Sequence, residues 1–195
     1  MIIDITQEVF SSTVYPGDPA PERRIISSME EGDPYNLTSL YMCAHNGTHV
    51  DAPFHFIRDG KTIDQLPLET FIGPCWVERH EGEVGGADAR SILEKARRAF
   101  SEKRILIAGN ATVTEDAASV FADAGLLLLG NESQTVGPED DPMKVHKILL
   151  GAGCILLEGV VLADAEEGAY TLHAAPINLG GSEGAPCRAY LVKKR

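Results

Sequence analysis

The stretch His45–Phe56 reads HNGTHVDAPFHF and contains three of the six histidines in this chain of 195 residues. One aspartate, one glycine and one proline lie among them. A single histidine is usually a core or surface residue with an ordinary hydrogen-bond partner. Three histidines and an aspartate, all at odd-numbered positions, favour a metal-binding motif over that interpretation.

The local conformation of this stretch decides whether its donors can meet. In a helix, His45 and His49 would share a face, but Asp51 would point roughly 120° away from them. In an extended strand the odd-numbered side chains would all share one face, but His45 and His49 would lie roughly 13 Å apart. A bend at Asn46-Gly47 would shorten that separation. We therefore predict a strand end, kinked at the glycine, that directs His45, His49 and Asp51 inward.

The predicted donors have a clear chemical preference. Imidazole nitrogens and a carboxylate suit Zn²⁺ and Mn²⁺, and Fe²⁺ also accepts them. A structural zinc site more often contains thiolates, so a site made of nitrogen and oxygen donors indicates catalysis. The chain contains no H-E-x-x-H sequence, which excludes that zinc-protease motif.

A second pair of donors lies in the C-terminal half. Glu158 stands inside the apolar run CILLEGVVL, where a buried carboxylate needs a basic partner, a raised pKa or a metal. His146 lies upstream, on a predicted helix that leads through GAG into this run. A helix that returns to the same sheet could bring the two side chains together, so the pair suggests a second metal site.

Other residues of these types have simpler interpretations. His80 and His173 lack such neighbours and are expected to be an ordinary loop residue and an ordinary strand residue. Phe54 and Phe56, which have the opposite parity in the first motif, are expected to pack in the core, although one could line a pocket.

Composition narrows the class of protein. The net charge of −12 argues against nucleic acid or an anionic membrane as a partner, because both require basic patches. The start, MIIDITQEV, lacks the basic region of a signal peptide, and no apolar run approaches the roughly 18 residues of a membrane span. Four widely spaced cysteines form no C-x-x-C pair, so we expect free thiols in a reducing cytoplasm: Cys43, Cys75, Cys154 and Cys187.

Alternation and helical spacing predict the secondary structure. The predicted strands are IIDITQEV, NLTSLYMCAH, FIGPCWVERH, RILIAG, LLLLG, CILLEGVVL, YTLHAAPINLG and PCRAYLVK. The predicted helices are ADARSILEKARRAF, TEDAASVFADAG and DPMKVHKILLGAG, the last with Asp141 as its N-cap. Residues 14–22, VYPGDPAPE, predict a loop. Strands dominate the first half and alternate with helices in the second, which predicts one α/β domain over residues 1–195 with a mixed sheet.

The central motif resembles a family signature. The pattern H-x-G-T-H-x-D-x-P-x-H is complete over His45–His55 and resembles that of the metal-dependent cyclase family, which includes bacterial kynurenine formamidase and isatin hydrolase. Three other parts of the chain are similar to the family: the early loop Tyr15–Pro19, the pair His146 and Glu158, and the C-terminal stretch Gly184–Ala189. The resemblance therefore covers nearly the whole chain.

The resemblance implies roles for particular residues. His45, His49 and Asp51 would bind one divalent ion, Zn²⁺ or Mn²⁺. Asp51 would bridge to a second ion held by His146 and Glu158. The fold would be the family's swivelling β/β/α domain, and the protein would be a homo-oligomer, either a dimer or a tetramer.

The resemblance also implies an activity, the hydrolysis of a small-molecule amide by metal-activated water. A metal supplies hydroxide at neutral pH and stabilises the oxyanion that forms during attack on the carbonyl. The leaving amine needs a proton, and a histidine with a pKa near about 6.5 suits that transfer. His55 would be this catalytic acid or base, and N-formyl-L-kynurenine would be cleaved to kynurenine and formate.

Two alternatives stay open. A hydrolase of a cyclic amide or lactone, as in isatin hydrolase, would use the same site and differ only in its substrate. A non-catalytic metal-binding oligomeric protein would not require His55, so this histidine argues against it. The stretch Asn131–Thr135 departs from the T-D-T-P-S-like stretch that is typical of kynurenine formamidases, so the resemblance assigns the metal residues more firmly than the substrate.

Overall fold

A computed structural model of the chain describes residues 1–193, which form thirteen strands and three α-helices joined by loops and short 3₁₀ helices. The strands are β1 (Ile2–Asp4), β2 (Glu22–Ser27), β3 (Leu37–Tyr41), β4 (His49–Asp51), β5 (Ile72–Arg79), β6 (Gly82–Val84), β7 (Arg104–Ala108), β8 (Ala111–Val113), β9 (Leu128–Asn131), β10 (Ile155–Glu158), β11 (Gly168–His173), β12 (Gly184–Pro186) and β13 (Tyr190–Lys193). The helices are α1 (Gly86–Arg98), α2 (Glu115–Asp123) and α3 (Met143–Gly151), and the 3₁₀ helices are Val9–Ser11, Met29–Glu31, Pro53–His55, Ile63–Gln65 and Leu68–Thr70.

Nine strands form one mixed sheet in the order β1-β13-β11-β5-β7-β9-β10-β4-β12. The four central strands, β5, β7, β9 and β10, run parallel to one another. Antiparallel strands flank them on both sides. The predicted α/β class with a mixed sheet is therefore confirmed.

The sheet separates two hydrophobic clusters. Every residue of β7 is buried, as is usual for a parallel strand covered on both faces. Ile105 and Ile107 pack in the cluster that contains the buried faces of α1, α2 and α3. Leu106 and Ala108 point the other way and pack in the second cluster. The apolar periodicity of the three helices thus attaches them to one face of the sheet.

Several local predictions were wrong in detail. The strand β2 was not predicted, and the predicted strand NLTSLYMCAH is shorter than expected, since β3 ends at Tyr41 and pairs with β2 in a hairpin separate from the large sheet. The N-cap of α3 is Pro142 and not Asp141, because the carbonyl of Pro142 accepts the first helical bond, from the His146 amide. The single domain over residues 1–195 stays a prediction.

Two simpler expectations concern the cysteines and membrane helices. Among residues 1–193 no disulfide links the four cysteines. None of the helices in the described part of the chain has the length and apolarity that a membrane crossing needs.

Candidate metal centre

The first motif approaches the sheet through a tight turn at Gly47. This glycine has φ 66°, a left-handed conformation that favours glycine, so the predicted kink lies where the sequence places it. His49 and Asp51 follow on β4 and share one face of it. His45 lies before the turn, which folds its ring back so that Nδ1 is 2.9 Å from Asp51 Oδ1.

The second pair of donors, Glu158 on β10 and His146 on α3, reaches the same place. Glu158 ends β10, which runs antiparallel to β4 with Glu158 directly opposite His49. His146 lies on α3, and its Nε2 is 3.2 Å from Glu158 Oε1. His49 Nε2 is 3.4 Å from Glu158 Oε2. The return of α3 onto β10 therefore joins the two constellations, as the sequence suggested.

Asp51 lies between all the other members of the cluster. Its Oδ1 is 3.5 Å from His49 Nε2, and its Oδ2 is 3.7 Å from His146 Nε2 and 3.9 Å from His55 Nε2. Two groups of donors have mutual separations below 4.8 Å, and both contain this carboxylate: His45, His49 and Asp51, and Asp51, His146 and Glu158.

Two histidines of the cluster use the same ring nitrogen for a backbone hydrogen bond. His49 Nδ1 donates to the carbonyl of Gly47 at 2.9 Å, and His146 Nδ1 donates to the carbonyl of Pro142 at 2.9 Å. A carbonyl only accepts, so Nδ1 carries a proton on both rings, and in the neutral form of each ring Nε2 is the nitrogen with the lone pair. Partners of this kind commonly orient histidines that bind metals through the other nitrogen.

Three buried donor atoms of the cluster have no hydrogen-bond partner in the described part of the chain. These atoms are His45 Nε2, His49 Nε2 and Asp51 Oδ2. Buried polar atoms without partners are rare in proteins and require a specific explanation. Two imidazole lone pairs and one carboxylate lone pair are the donors that Zn²⁺ or Mn²⁺ prefers. The residues therefore fit a divalent cation.

The electrostatics of the cluster also favour a cation. Burial alone would lower the pKa of His45, but the hydrogen bond to Asp51 and the negative charges of Asp51, Glu158 and Glu183 together outweigh that effect and raise the pKa to about 9. Burial would raise the pKa of Asp51 and Glu158, but their histidine neighbours hold both below the usual range. Two buried carboxylates that stay ionised create a negative potential, which protons or a metal ion can neutralise.

His55 lies at the edge of the cluster and differs from its other members. It ends the 3₁₀ helix Pro53–His55, and its side chain is 28% exposed. Its ring packs against that of His45, with centroids 4.3 Å apart. Burial holds the pKa of His55 below its usual value, so the ring is mostly neutral near pH 7.

A cavity of about 230 Å³ opens onto this cluster. Besides donors of the cluster and His55, its walls contain six residues: Tyr15, Asp18, Phe56, Gln134, Thr135 and Pro142. None of these six was predicted as a site residue, although a pocket position for Phe56 was left open as the alternative to the core. Tyr15 lies in the early loop that resembles the family, and Gln134 lies in the stretch that departs from it. Both stretches therefore stood out in the sequence and could have indicated pocket residues.

The remaining histidines and Phe54 lie outside the cavity. The His173 ring stacks on Tyr190 in the sheet, and His80 Nε2 is 2.9 Å from the carbonyl of Glu83. Phe54 is 42% exposed, so its predicted place in the core was wrong. It lies in the 3₁₀ turn, where the parity of a strand no longer applies.

Comparison with known proteins extends the likeness over the whole chain. Residues 3–137 match the model of a family described as "Putative cyclase". The kynurenine formamidase of Salinibacter ruber is 35% identical, over 97% of this chain and 96% of that protein. The kynurenine formamidase of Bacillus cereus is 32% identical, over 97% and 96%.

Solved structures share the fold. A potential metal-dependent hydrolase with cyclase activity superposes with a TM-score of 0.81 at 26% identity, over 100% of this chain and 99% of that chain. Isatin hydrolase A from Labrenzia aggregata superposes with a TM-score of 0.82 at 20% identity, over 100% and 94%.

Proposed function

This chain belongs to the cyclase family, and from that membership and its buried cluster we propose that it is a metal-dependent hydrolase of a non-peptide amide bond. The observation that carries the proposal is the meeting of three buried donor atoms that lack a hydrogen bond, beside His55 at the wall of a cavity of about 230 Å³. A purely structural cluster would need neither the open wall nor the half-buried histidine.

The two donor groups define where ions would bind. His45, His49 and Asp51 would hold one divalent ion, and Asp51, His146 and Glu158 would hold a second, with Asp51 shared between them. We propose Zn²⁺ as the native ion, with Mn²⁺ as the alternative that these donors also accept. Bound there, the ion would lower the pKa of water towards neutrality and polarise the substrate carbonyl.

His55 is the proposed catalytic acid and base. Its Nε2 faces the cluster and, being mostly neutral near pH 7, can take a proton from the attacking water. As the C–N bond breaks, the same nitrogen returns that proton to the leaving amine. The carbonyl carbon keeps the oxygen of water in a carboxylic acid, which releases its remaining proton to solvent and becomes a carboxylate. Phe56 and Pro142 form an apolar side of the cavity, which suits an aromatic ring and limits competing water.

The proposed substrate is an aryl formamide, N-formyl-L-kynurenine, which would be converted to kynurenine and formate. Support comes from relatives called kynurenine formamidase, five of which are 30–35% identical to this chain over almost its full length. The likeness to isatin hydrolase is 20% in sequence and supports the fold alone.

The test is hydrolysis of N-formyl-L-kynurenine by the purified protein, with and without added Zn²⁺ or Mn²⁺, together with measurement of bound metal. His55→Ala should keep its metal and lose turnover by about 100-fold or more. His173→Ala, which changes a histidine outside the cavity, is the matched control and should retain activity. Bound metal without turnover in the wild type would refute the substrate and direct the search to cyclic amides and lactones.

We also propose that the protein is a homo-oligomer, a dimer or tetramer, that assembles through the hairpin β2-β3. Within residues 1–193 these two strands pair only with each other, and an isolated two-stranded hairpin is marginally stable in water. One face of the hairpin carries exposed large apolar side chains, Ile25 at 66% and Leu40 at 62%. Arg23 shares that face and would place a positive charge against the acidic body of a second copy.

Sedimentation of the wild type and of Leu40→Asp tests this assembly. The substitution should shift the protein to a smaller species, because it places a charge on the apolar face. Ser39→Asp adds the same charge next to it, on the opposite face of β3, and is the matched control. A wild type that sediments as a monomer would refute the proposal. The cytoplasmic location expected from the sequence stays a prediction.

A further inference from the structure

The side chain of His55 is oriented by packing and not by a hydrogen bond. Its backbone is fixed, because its amide donates to the carbonyl of Ala52 at 2.9 Å. Its Nε2 lies 3.9 Å from Asp51 Oδ2, which is too long for a hydrogen bond, and neither ring nitrogen forms one within residues 1–193. A histidine that acts as acid or base is usually oriented by a third group that bonds its other nitrogen. Another kind of contact must therefore orient this ring.

Two aromatic contacts act on the His55 ring. The ring of His45 lies with its centroid 4.3 Å away and its plane at 32°. The ring of Phe56 lies with its centroid 4.4 Å away and its plane at 81°, which is an edge-to-face arrangement. Aromatic pairs favour this geometry and gain stabilisation from it beyond the area they bury. Phe56 has no polar atom in its side chain, so packing is the whole of what it contributes.

The Phe56 ring is itself anchored. It packs against the hydrophobic cluster on the helix side of the sheet, which contains Val145 and Leu149 of α3. It also contacts the ring of His146 on the same helix, with centroids 4.9 Å apart. Phe56 therefore connects His55 to the core and to the helix that carries a proposed ligand of the second ion.

The spacing of three rings shows what would happen without Phe56. The centroids of His55 and His146 are 6.3 Å apart, and the Phe56 ring contacts both of them. A side chain without the ring would leave space beside His55, since the surroundings of a truncated residue relax only partly. No hydrogen bond would then stop the imidazole from turning into that space, which would move Nε2 away from Asp51.

We propose that Phe56 is a positioning residue that holds the His55 ring with its Nε2 directed at the metal centre. This inference rests on the proposed hydrolase function and gives Phe56 a task beyond that of a cavity wall. Misplacement of a reacting group by about 1 Å costs about 100-fold in rate. Loss of a wall alone would weaken substrate binding and raise KM, whereas loss of orientation lowers kcat.

Phe56→Leu removes the ring and keeps an apolar side chain. It should lower kcat on N-formyl-L-kynurenine by about 10- to 100-fold, while KM changes by less than about threefold and bound metal is unchanged. Phe56→Tyr keeps the ring and should restore kcat to within about threefold of the wild type. A raised KM with an unchanged kcat, or equal losses in both variants, would overturn the proposal.

Controls separate orientation of His55 from damage to the fold. Phe54→Leu makes the same substitution in the same 3₁₀ turn, at a side chain that is 42% exposed and does not line the cavity, and should leave kcat unchanged. If Phe56→Leu loses metal or unfolds, Phe56→Met fills more of the volume of the ring and takes its place, with the same results expected. Loss of metal in Phe56→Met as well would overturn the proposal, because Phe56 would then support His146 and not His55.

The orientation of the His55 ring is also measurable without turnover. If the wild type cleaves no amide, the proposed function fails, and nuclear Overhauser effects between histidine ring protons then test the inference alone. Cross-peaks between the rings of His55 and His45, whose centroids are 4.3 Å apart, should be present in the purified wild type and in Phe54→Leu. They should weaken or vanish in Phe56→Leu. Unchanged cross-peaks in that variant would overturn the proposal.

Discussion

Gly184→Ala should impair the metal centre without changing any donor. Gly184 begins β12 and lies directly opposite Asp51 of β4. A Cβ built on it would lie 2.8 Å from Cε1 of His45 and 3.0 Å from the carbonyl oxygen of Val50. Val50 is fully buried in the middle of β4, so its backbone has little room to move. The His45 ring must therefore move away from the new methyl group.

The size of that movement sets the expected effect. Ordinary contacts of a Cβ begin at 3.4 Å, so a distance of 2.8 Å requires the ring to retreat by roughly 0.6 Å. Metal–ligand distances tolerate about 0.2 Å. Displacement of a ligand through its surroundings typically costs about 10- to 100-fold in metal affinity or activity, and we expect a loss in that range for Gly184→Ala. Overpacking should also lower the free energy of unfolding of the metal-free protein by about 1–3 kcal/mol.

Titration of metal-free protein with Zn²⁺ against a competing chelating dye measures the affinity, and kcat/KM on N-formyl-L-kynurenine measures the catalytic effect. Gly180→Ala is the matched control, because a Cβ at that glycine would meet no atom within 4 Å. If Gly184→Ala bound metal and turned over substrate as Gly180→Ala does, then neither the proposed role of His45 nor the close packing against it would stand.

Three further predictions test the surroundings of the site. Thr48→Val should lower the free energy of unfolding by about 1–3 kcal/mol in urea, because the buried hydroxyl donates to the Gly159 carbonyl at 2.6 Å and accepts from the Gln7 amide at 2.9 Å. Thr38→Val, on the exposed hairpin, should change it by less than about 0.5 kcal/mol, and equal effects would refute the argument. In the native protein a thiol reagent should label Cys43 first, as followed by mass spectrometry. Burial raises the pKa of Cys187 to about 12, so this thiol should react only after unfolding. Early labelling of Cys187 would contradict the packing. Removal of metal with a chelator should abolish turnover and lower Tm, and Zn²⁺ or Mn²⁺ should restore both; full activity without bound metal would refute the proposed metal dependence.

The local parts of the fold were predictable. The helix α1 has a continuous 3.6-residue pattern of buried Ala89, Ile92, Leu93 and Ala96, and such a pattern is a property of neighbouring residues. The strand β7 is an uninterrupted buried run, which is equally local. In contrast, β2 begins with three charged residues and is exposed, and its strand conformation depends on pairing with β3, so its own sequence carried little signal.

The local conformation that brings the metal-binding donors together was only partly predictable from the sequence. The argument from strand parity is correct for His49 and Asp51, which share one face of β4. It is wrong for His45, which lies in the turn before the strand, and for His55, which lies in a 3₁₀ helix after it. These two side chains reach the cluster because the chain bends at Gly47 and again at Pro53, and not because of an extended strand.

The sequence by itself determined the kinds of donors in this protein, the bend between them and the class of the fold, because residue type, glycine conformation and apolar period act over a few neighbouring residues. Only the tertiary structure decided how the two donor groups come to lie on either side of Asp51 and that Gln134 lines the same cavity. Those facts depend on the antiparallel register that places Glu158 opposite His49 and on the loop that Val136 attaches to Glu158. Such a register is set by burial of both faces of the sheet, to which residues far apart in the chain contribute.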